Sequence, residues 1–387
     1  MTLGAAIAGA IVIGTQLPLM HQPATSHLTI TAIDLAPSST PKIAWPTVGS
    51  AALVIPSLGI AQGWNNQVLP IASLTKMMTA YVTLKALPLA AGETGPCVTV
   101  SAADVAAYDE MKLSGQSSVA VAEGESLCEL DLLDGLLVHS ANNYALLLAT
   151  MASGNVSDFV TRMNETARAL GLTHTHYAEP SGYEDGSIST AMEQGELAAM
   201  LMKSPLVRSI VIMPSVTLPV AGTVNSFTPF VGTDNVIGVK SGRTDAAGGC
   251  DVMAMTFQQG TSTRVLYAVV LGQRGGNLLA PAGDAALALA TSAVANQLDR
   301  VFAKGSIVAT VGWGSEVVPV ALAHERQVFW WAAEKRLPLS LQMKHLTTTV
   351  RRGELVGWLV VRGLSTHRFA LVAQGTVSPP SLWQRLR

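Results

Sequence analysis

The chain has 387 residues, of which 24 are basic and 26 acidic, giving a net charge of −2. No basic stripe runs through it, which argues against a nucleic-acid partner. Only 13% of residues are charged and the mean hydropathy is +0.37, so the composition excludes a disordered chain and supplies ample material for a core.

Residues 1–33 contain no Lys, Arg, Asp or Glu, and residues 3–13 are continuously apolar or Gly. That length suits the hydrophobic region of an export signal better than a free-standing membrane span. A buried N-terminal helix is the competing reading. A stretch rich in Pro, Ser and Thr follows, so residues 1–48 are expected to be a signal or anchor segment with an extended linker. Export is then expected, with the segment either cleaved or kept as a membrane contact.

Residues 51–63 alternate and read as a strand pair. Residues 70–87, PIASLTKMMTAYVTLKAL, have apolar side chains at Met77, Ala80, Tyr81 and Leu84, which is helical spacing, and Pro88 ends the run. Ser73 and Lys76 stand three apart at its start and share a face. In the first helical turn, free N–H groups and the helix dipole favour negative charge on Ser73. A lysine can act as base for that hydroxyl only when neutral, which demands burial or a neighbouring cation. The same serine also fits an ordinary helix cap. Ser39 and Lys42 repeat the spacing, but Pro41 and the surrounding segment give no helix to carry it.

Ser101 and Asp104 form a capping pattern. Helices are expected over residues 129–138, 143–153, 156–170 and 190–203, and strands over 216–220, 236–240, 250–257 and 264–271, before a long apolar helix over 284–303. A strand pair, an all-helical middle, then strands and a closing helix predict an α/β domain over residues 49–304, a sheet with helices on its faces. From residue 305 to 387 short β-like runs recur between turn residues, which predicts a small all-β domain.

Cys97 and Cys128 each adjoin a short β-like run, and in an exported chain they can pair as a disulfide. Cys250 lies in an apolar strand and reads as a buried thiol. His174 and His176 lack a further ligand cluster and read as surface rather than a metal site.

Two more triplets bear on Ser73. Ser140-Ala-Asn142 lies between two helices; its hydroxyl can relay a proton, and an Asn amide can hold a substrate amide as donor and acceptor. Lys240-Ser241-Gly242 ends a strand; a strand lysine can hold a carboxylate as a point charge, and the glycine leaves room for a peptide to lie alongside. Each triplet alone also fits a loop or a solvated edge strand.

The order S-x-x-K, S-x-N, K-[ST]-G is the set found in penicillin-binding proteins and class A β-lactamases. The chain resembles that superfamily, and within it the low-molecular-mass D-alanyl-D-alanine carboxypeptidases. The likeness runs through IASLTKMMTAYVTL, LLDGLLVHSANNYALLLA, MNETARALGLTHTHYAEPSGYEDGSISTA and VIGVKSGRTDAAGGCDVMAM, covers about residues 51–303, and extends to a β-rich C-terminal domain. It implies an antiparallel sheet with helices on both faces plus an all-helical lobe.

It further implies that Ser73 attacks the carbonyl between two D-alanines of a peptidoglycan stem peptide while Lys76 takes its proton. Ser140, helped by Lys240, protonates the departing D-alanine, and Asn142 holds the penultimate amide. The backbone N–H groups of Ser73 and Arg243 form the oxyanion hole, where one donor is worth about 2.7–4 kcal/mol. Lys240, Ser241 and Thr244 receive the terminal carboxylate. No metal or cofactor is implied, and a β-lactam is expected to acylate Ser73. The chain departs from the family pattern in having KSG for KTG, Arg243 after it where an aromatic residue or His is usual, and EPSG where a Pro-His-Gly is common. A class A β-lactamase shares the triplets but needs a carboxylate to activate water, for which Glu179, Glu184 and Asp185 lie in a suitable region. A non-catalytic protein that binds cell-wall peptides is the third reading.

Overall fold

In a computed structural model the described residues are 23–29, 32–34, 43–90, 92–295, 297–331, 336–362 and 366–381. The apolar run at residues 3–13 lies outside them. The chain divides into two units, Lys42–Ala295 and Met1–Pro41 with Asn296–Arg387.

The first unit is built on five antiparallel strands. The alternating segment near residue 51 forms a hairpin of β1 (Ser50–Ile55) and β2 (Ile60–Trp64). The later apolar runs form β3 (Val236–Thr244), β4 (Gly248–Gln259) and β5 (Ser262–Gln273). Their order across the sheet is β3-β4-β5-β1-β2. β1 is buried throughout and β4 nearly so, because helices cover both faces of the sheet there, whereas the edge strand β2 keeps only Ile60 buried. The alternation of side chains assigns the faces. Gly242 and its register partner Cys250 face Ser73 and Pro70, whereas Gly249 faces Ala282 of the last helix.

The helical part surrounds α1 (Thr75–Ala86), whose Met77, Met78, Ala80 and Val82 are buried. Helix α2 (Ala102–Leu113) opens on the reciprocal hydrogen bonds of Ser101 and Asp104. Helices α3 (Glu129–Leu137) and α4 (Asn142–Ser153) flank the Ser140 loop, and Gly154 ends α4 in the left-handed conformation. Then come α5 (Val156–Ala169), capped by Asn155, and α6 (Ala191–Leu201), capped by Thr190. Helix α7 (Pro205–Val211), with Ser204 as cap and Pro205 in its first turn, was not anticipated because seven residues give too short a periodicity to read.

The closing helix differs from expectation. It is α8 (Leu279–Ala295), and the residues beyond it form a strand, Gln297–Phe302, paired with Arg326–Trp331. Residues of α8 are mostly Ala and Leu, whereas the strand carries Gln, Asp and Arg with the β-branched Val301, so the change of composition marks the boundary. The second unit contains a seven-stranded sheet with a core that includes Val308, Val320, Leu359, Phe369 and Leu371. Two of its strands come from the segment read as a linker: Thr25–Leu28 pairs with Ile307–Trp313, and Ala32–Asp34 with Arg336–Met343. Thr, Leu and Ile in that segment suit a strand once an edge is available to pair with. Among the described residues no helix is long and apolar enough to cross a membrane.

Candidate active site

Ser73 sits in a single 3₁₀ turn, Ala72–Leu74, that runs directly into α1. Ala72 has φ +47°, a left-handed conformation that an L side chain adopts at a cost of about 1–3 kcal/mol and that concentrates at functional sites. Two glycines hold the turn. A β-carbon on Gly182, itself at φ +79°, would overlap the Ala72 carbonyl; one on Gly242 would stand 2.5 Å from the Ser73 nitrogen. The loop at residue 182 and strand β3 therefore close on the serine backbone from two directions.

Lys76 is completely buried one turn along α1. Its Nζ is 2.9 Å from Ser73 Oγ, 2.7 Å from Asn142 Oδ1 and 2.6 Å from the Ser181 carbonyl oxygen. The last two are acceptors only, so an uncharged amine donates its two protons there and turns its lone pair to the Ser73 hydroxyl. Burial and the charge of Lys240 hold Lys76 well below the usual lysine range, with Glu179 acting in the opposite sense. The arrangement can accept a proton from Ser73.

Ser140 and Asn142 are brought to the same place by the α3–α4 loop. Ser140 has φ +63° and is buried, and among the described residues its Oγ has no hydrogen-bond partner. Asn142 Nδ2 donates to Gln116 Oε1 at 2.9 Å. Asn143 pins the neighbouring loop by exchanging hydrogen bonds with the Val119 backbone.

Strand β3 continues through the third triplet rather than ending at it. Lys240 is fully buried, and its Nζ donates to the Ser241 carbonyl at 2.8 Å. Burial pushes it down to about 7, with Asp251 opposing. Ser241 Oγ donates to the Phe227 carbonyl at 2.8 Å, and Thr244 Oγ1 to Asp185 Oδ1 at 3.3 Å. Arg243 is exposed. Two cavities meet at Ser73. One of about 590 Å³ is lined by Gln116, Asn142, Tyr183, Asp185 and Arg243 among others; a smaller one of about 60 Å³ is lined by Ser140, Ser241, Gly242 and Arg243. Lys240 lines neither.

The sequence reading names Glu179 only as a carboxylate able to activate water, and names neither Gln116, Ser181 nor Asp251. Gln116 orients Asn142; the Ser181 carbonyl holds Lys76. Glu179 accepts from the N–H groups of Ser181, at 2.6 Å, and Gly182, and so shapes that loop. The loop signal, Glu-Pro-Ser-Gly, was present in the sequence, but its destination was not. Asp251 is buried with no hydrogen-bond partner for its carboxyl among the described residues, and burial holds it well above the usual carboxylate range, with Lys240 opposing. Elsewhere in the unit, Cys97 and Cys128 are joined as a disulfide between facing strand residues, and Cys250 is free and buried. His174 is engaged by Glu193 at 2.8 Å.

Residues 60–275 match the sequence profile of the D-alanyl-D-alanine carboxypeptidase family, peptidase S11. A D-alanyl-D-alanine endopeptidase of Pseudomonas aeruginosa is 32% identical over 201 residues, covering 50% of this chain and 61% of that protein. A D-alanyl-D-alanine endopeptidase of Escherichia coli is 30% identical over 242 residues, covering 57% of this chain and 74% of that protein. The chain spans only 34% and 36% of two carboxypeptidase relatives, from Bacillus subtilis and E. coli. The crystal structure of penicillin binding protein 6B from E. coli shares the fold, with a TM-score of 0.62 at 22% identity, covering 90% of this chain and 98% of that one. Since the profile spans more than half of the sequence and takes in Ser73, Lys76 and the triplets at Ser140 and Lys240, the chain belongs to the D-alanyl-D-alanine carboxypeptidase family.

Proposed function

We propose that the protein is a serine D-alanyl-D-alanine carboxypeptidase that trims the terminal D-alanine from peptidoglycan stem peptides. Ser73 Oγ attacks the carbonyl between the two D-alanines as its proton passes to Lys76. Ser140 hands a proton to the departing amine, and water then hydrolyses the acyl-enzyme. The observation that carries this reading is a water-excluded amine 2.9 Å from a serine hydroxyl at the mouth of a cavity. A β-lactam offers the same acyl bond and is expected to acylate Ser73. Action outside the cytoplasm is supported by the disulfide, which persists in oxidising compartments, and by the apolar N-terminal run, which also leaves membrane contact open.

The test is mass spectrometry of the intact protein after exposure to a fluorescent penicillin, with released D-alanine measured in parallel on a pentapeptide. One covalent adduct is expected, lost in Ser73→Ala and in Lys76→Ala, with no rescue by Lys76→Arg because arginine does not deprotonate. Labelling that survives in Ser73→Ala overturns the assignment. Binding of pentapeptide without release of D-alanine favours a peptide-binding protein, and rapid turnover of a chromogenic cephalosporin favours a β-lactamase.

A second reading keeps the same acyl-enzyme. The two relatives from P. aeruginosa and E. coli described above are D-alanyl-D-alanine endopeptidases. Cleavage of a cross-linked peptide dimer faster than release of D-alanine from a pentapeptide would select it.

A further inference from the structure

The β-rich unit carries a charge opposite to that of the unit holding Ser73. Residues 296–387 contain 12 Lys or Arg and 5 Asp or Glu, whereas residues 42–295 contain 12 and 20. Part of the basic excess lies on one face of the seven-stranded sheet. Strands Arg336–Met343, Leu355–Arg362 and Thr366–Ala373 lie side by side and contain no acidic residue. Leu341, Leu359, Val361, Phe369 and Leu371 belong to the core side, so the alternation of side chains puts Gln342, Trp358, Arg362 and Arg368 on the other face. We propose that this face is a second, non-catalytic docking surface for peptidoglycan, on which Arg362 and Arg368 hold carboxylates of stem peptides other than the one being cleaved. The choice of partner rests on the carboxypeptidase reading above.

Arg368 is held ready for an anion. Its guanidinium lies over the Trp358 ring, 5.1 Å from the centroid, and donates to Gln342 Oε1. That fixes the plane of the fork and leaves other N–H donors free, while the residue stays exposed. Arg362, also exposed, stands opposite Thr366 and diagonal to Arg368 on the next strand, at an α-carbon spacing of about 7–8 Å. Among the described residues neither arginine has a carboxylate partner. Like charges at that spacing repel, and a polyanion laid along the face offsets the repulsion while each planar fork pairs a carboxylate through two parallel hydrogen bonds. A polymer is favoured over an anionic bilayer because the face has nothing to insert into one. Among the described residues no exposed large apolar side chain lies on these three strands, and the Trp358 ring is covered by Arg368. Peptidoglycan is the polymer that the proposed activity requires the protein to meet, and its untrimmed stem peptides end in free carboxylates.

The experiment measures co-sedimentation of the full chain with insoluble peptidoglycan, alongside kcat/KM on a soluble pentapeptide. Arg362→Gln and Arg368→Gln are each expected to weaken sedimentation about threefold and the double variant about tenfold, with turnover of the soluble pentapeptide within about twofold of wild type. Arg368→Lys is expected to recover part of the loss. Peptidoglycan whose carboxylates have been converted to carboxamides is expected to bind the wild type no better than untreated peptidoglycan binds the double variant. Arg362 makes no side-chain hydrogen bond, ion pair or ring contact among the described residues, so Arg362→Gln tests the face even where an Arg368 variant fails to fold. Arginine variants that sediment like the wild type, equal binding to the carboxamide form, or tighter binding to phosphatidylglycerol vesicles than to peptidoglycan overturns the proposal. Arginine-dependent sedimentation without cleavage of the soluble pentapeptide upholds the docking face and overturns the carboxypeptidase reading instead.

Discussion

Gly242 lies so close to the backbone of Ser73 that a β-carbon there would stand 2.5 Å from the Ser73 nitrogen. Neither partner is a flexible side-chain end, so Gly242→Ala must displace the strand or the serine turn. Shifts of this size in reacting geometry are costly, and we predict a fall of about 10²-fold or more in the rate of penicillin acylation. The stability loss is expected to be about 1–3 kcal/mol, the range for overpacking, leaving the protein folded. Stopped-flow labelling and thermal melts measured together check this; an alanine variant with wild-type acylation refutes the contact's importance.

The charges around Lys76 give opposed predictions for the pH dependence of acylation. Acylation needs the neutral amine, so its rate rises as pH passes upward through the Lys76 pKa. Lys240 lowers that pKa, so Lys240→Met moves the rising limb to higher pH. Glu179 raises it, so Glu179→Gln, which keeps an acceptor oxygen for one of the two backbone amides that Glu179 holds, moves the limb to lower pH. Shifts in the same direction for both variants count against Lys76 as the base.

Gln116 acts on the reaction through Asn142. Removing its carbonyl in Gln116→Ala leaves the Asn142 Nδ2 donor without its acceptor and frees the amide that also holds Lys76. The expected loss is about tenfold in acylation rate, some 1.4 kcal/mol. Gln116→Glu restores the acceptor and should recover most of it; equal losses in both variants would point to packing instead.

Stability should also vary with pH through two carboxyls outside the site, the buried Glu129 and the half-buried Asp134. Burial raises Glu129 from 4.5 to about 7, and burial with the nearby Asp131 charge raises Asp134 from 3.8 to about 7. Both oxygens of Glu129 and one of Asp134 lack hydrogen-bond partners among the described residues. Between the unfolded and folded values the folded state binds more protons, so stability falls as pH rises through that window and levels off above about 7. Urea midpoints should show this slope, and the double variant Glu129→Gln, Asp134→Asn should flatten it.

What the sequence by itself determined was local. The helical run puts Ser73, in the 3₁₀ turn that leads into α1, on one face with Lys76, the Ser101–Asp104 pattern opens α2, and the β-like runs near residues 51, 240, 250 and 265 are strands. These follow from bond geometry and hydrogen bonding between near neighbours, which any short segment carries with it. Only the tertiary structure decided that Lys76 meets Asn142 and Ser181, residues 66 and 105 positions away, and that Lys240 is buried and turned to a carbonyl. It also decided that residues 25–28, read as linker, form a strand whose Thr25 side chain bonds a residue 287 positions along the chain. Such contacts depend on which surfaces the whole chain buries together, and burial sets both the reach of a side chain and the charge it carries, neither of which is encoded in the spacing of residues along the sequence.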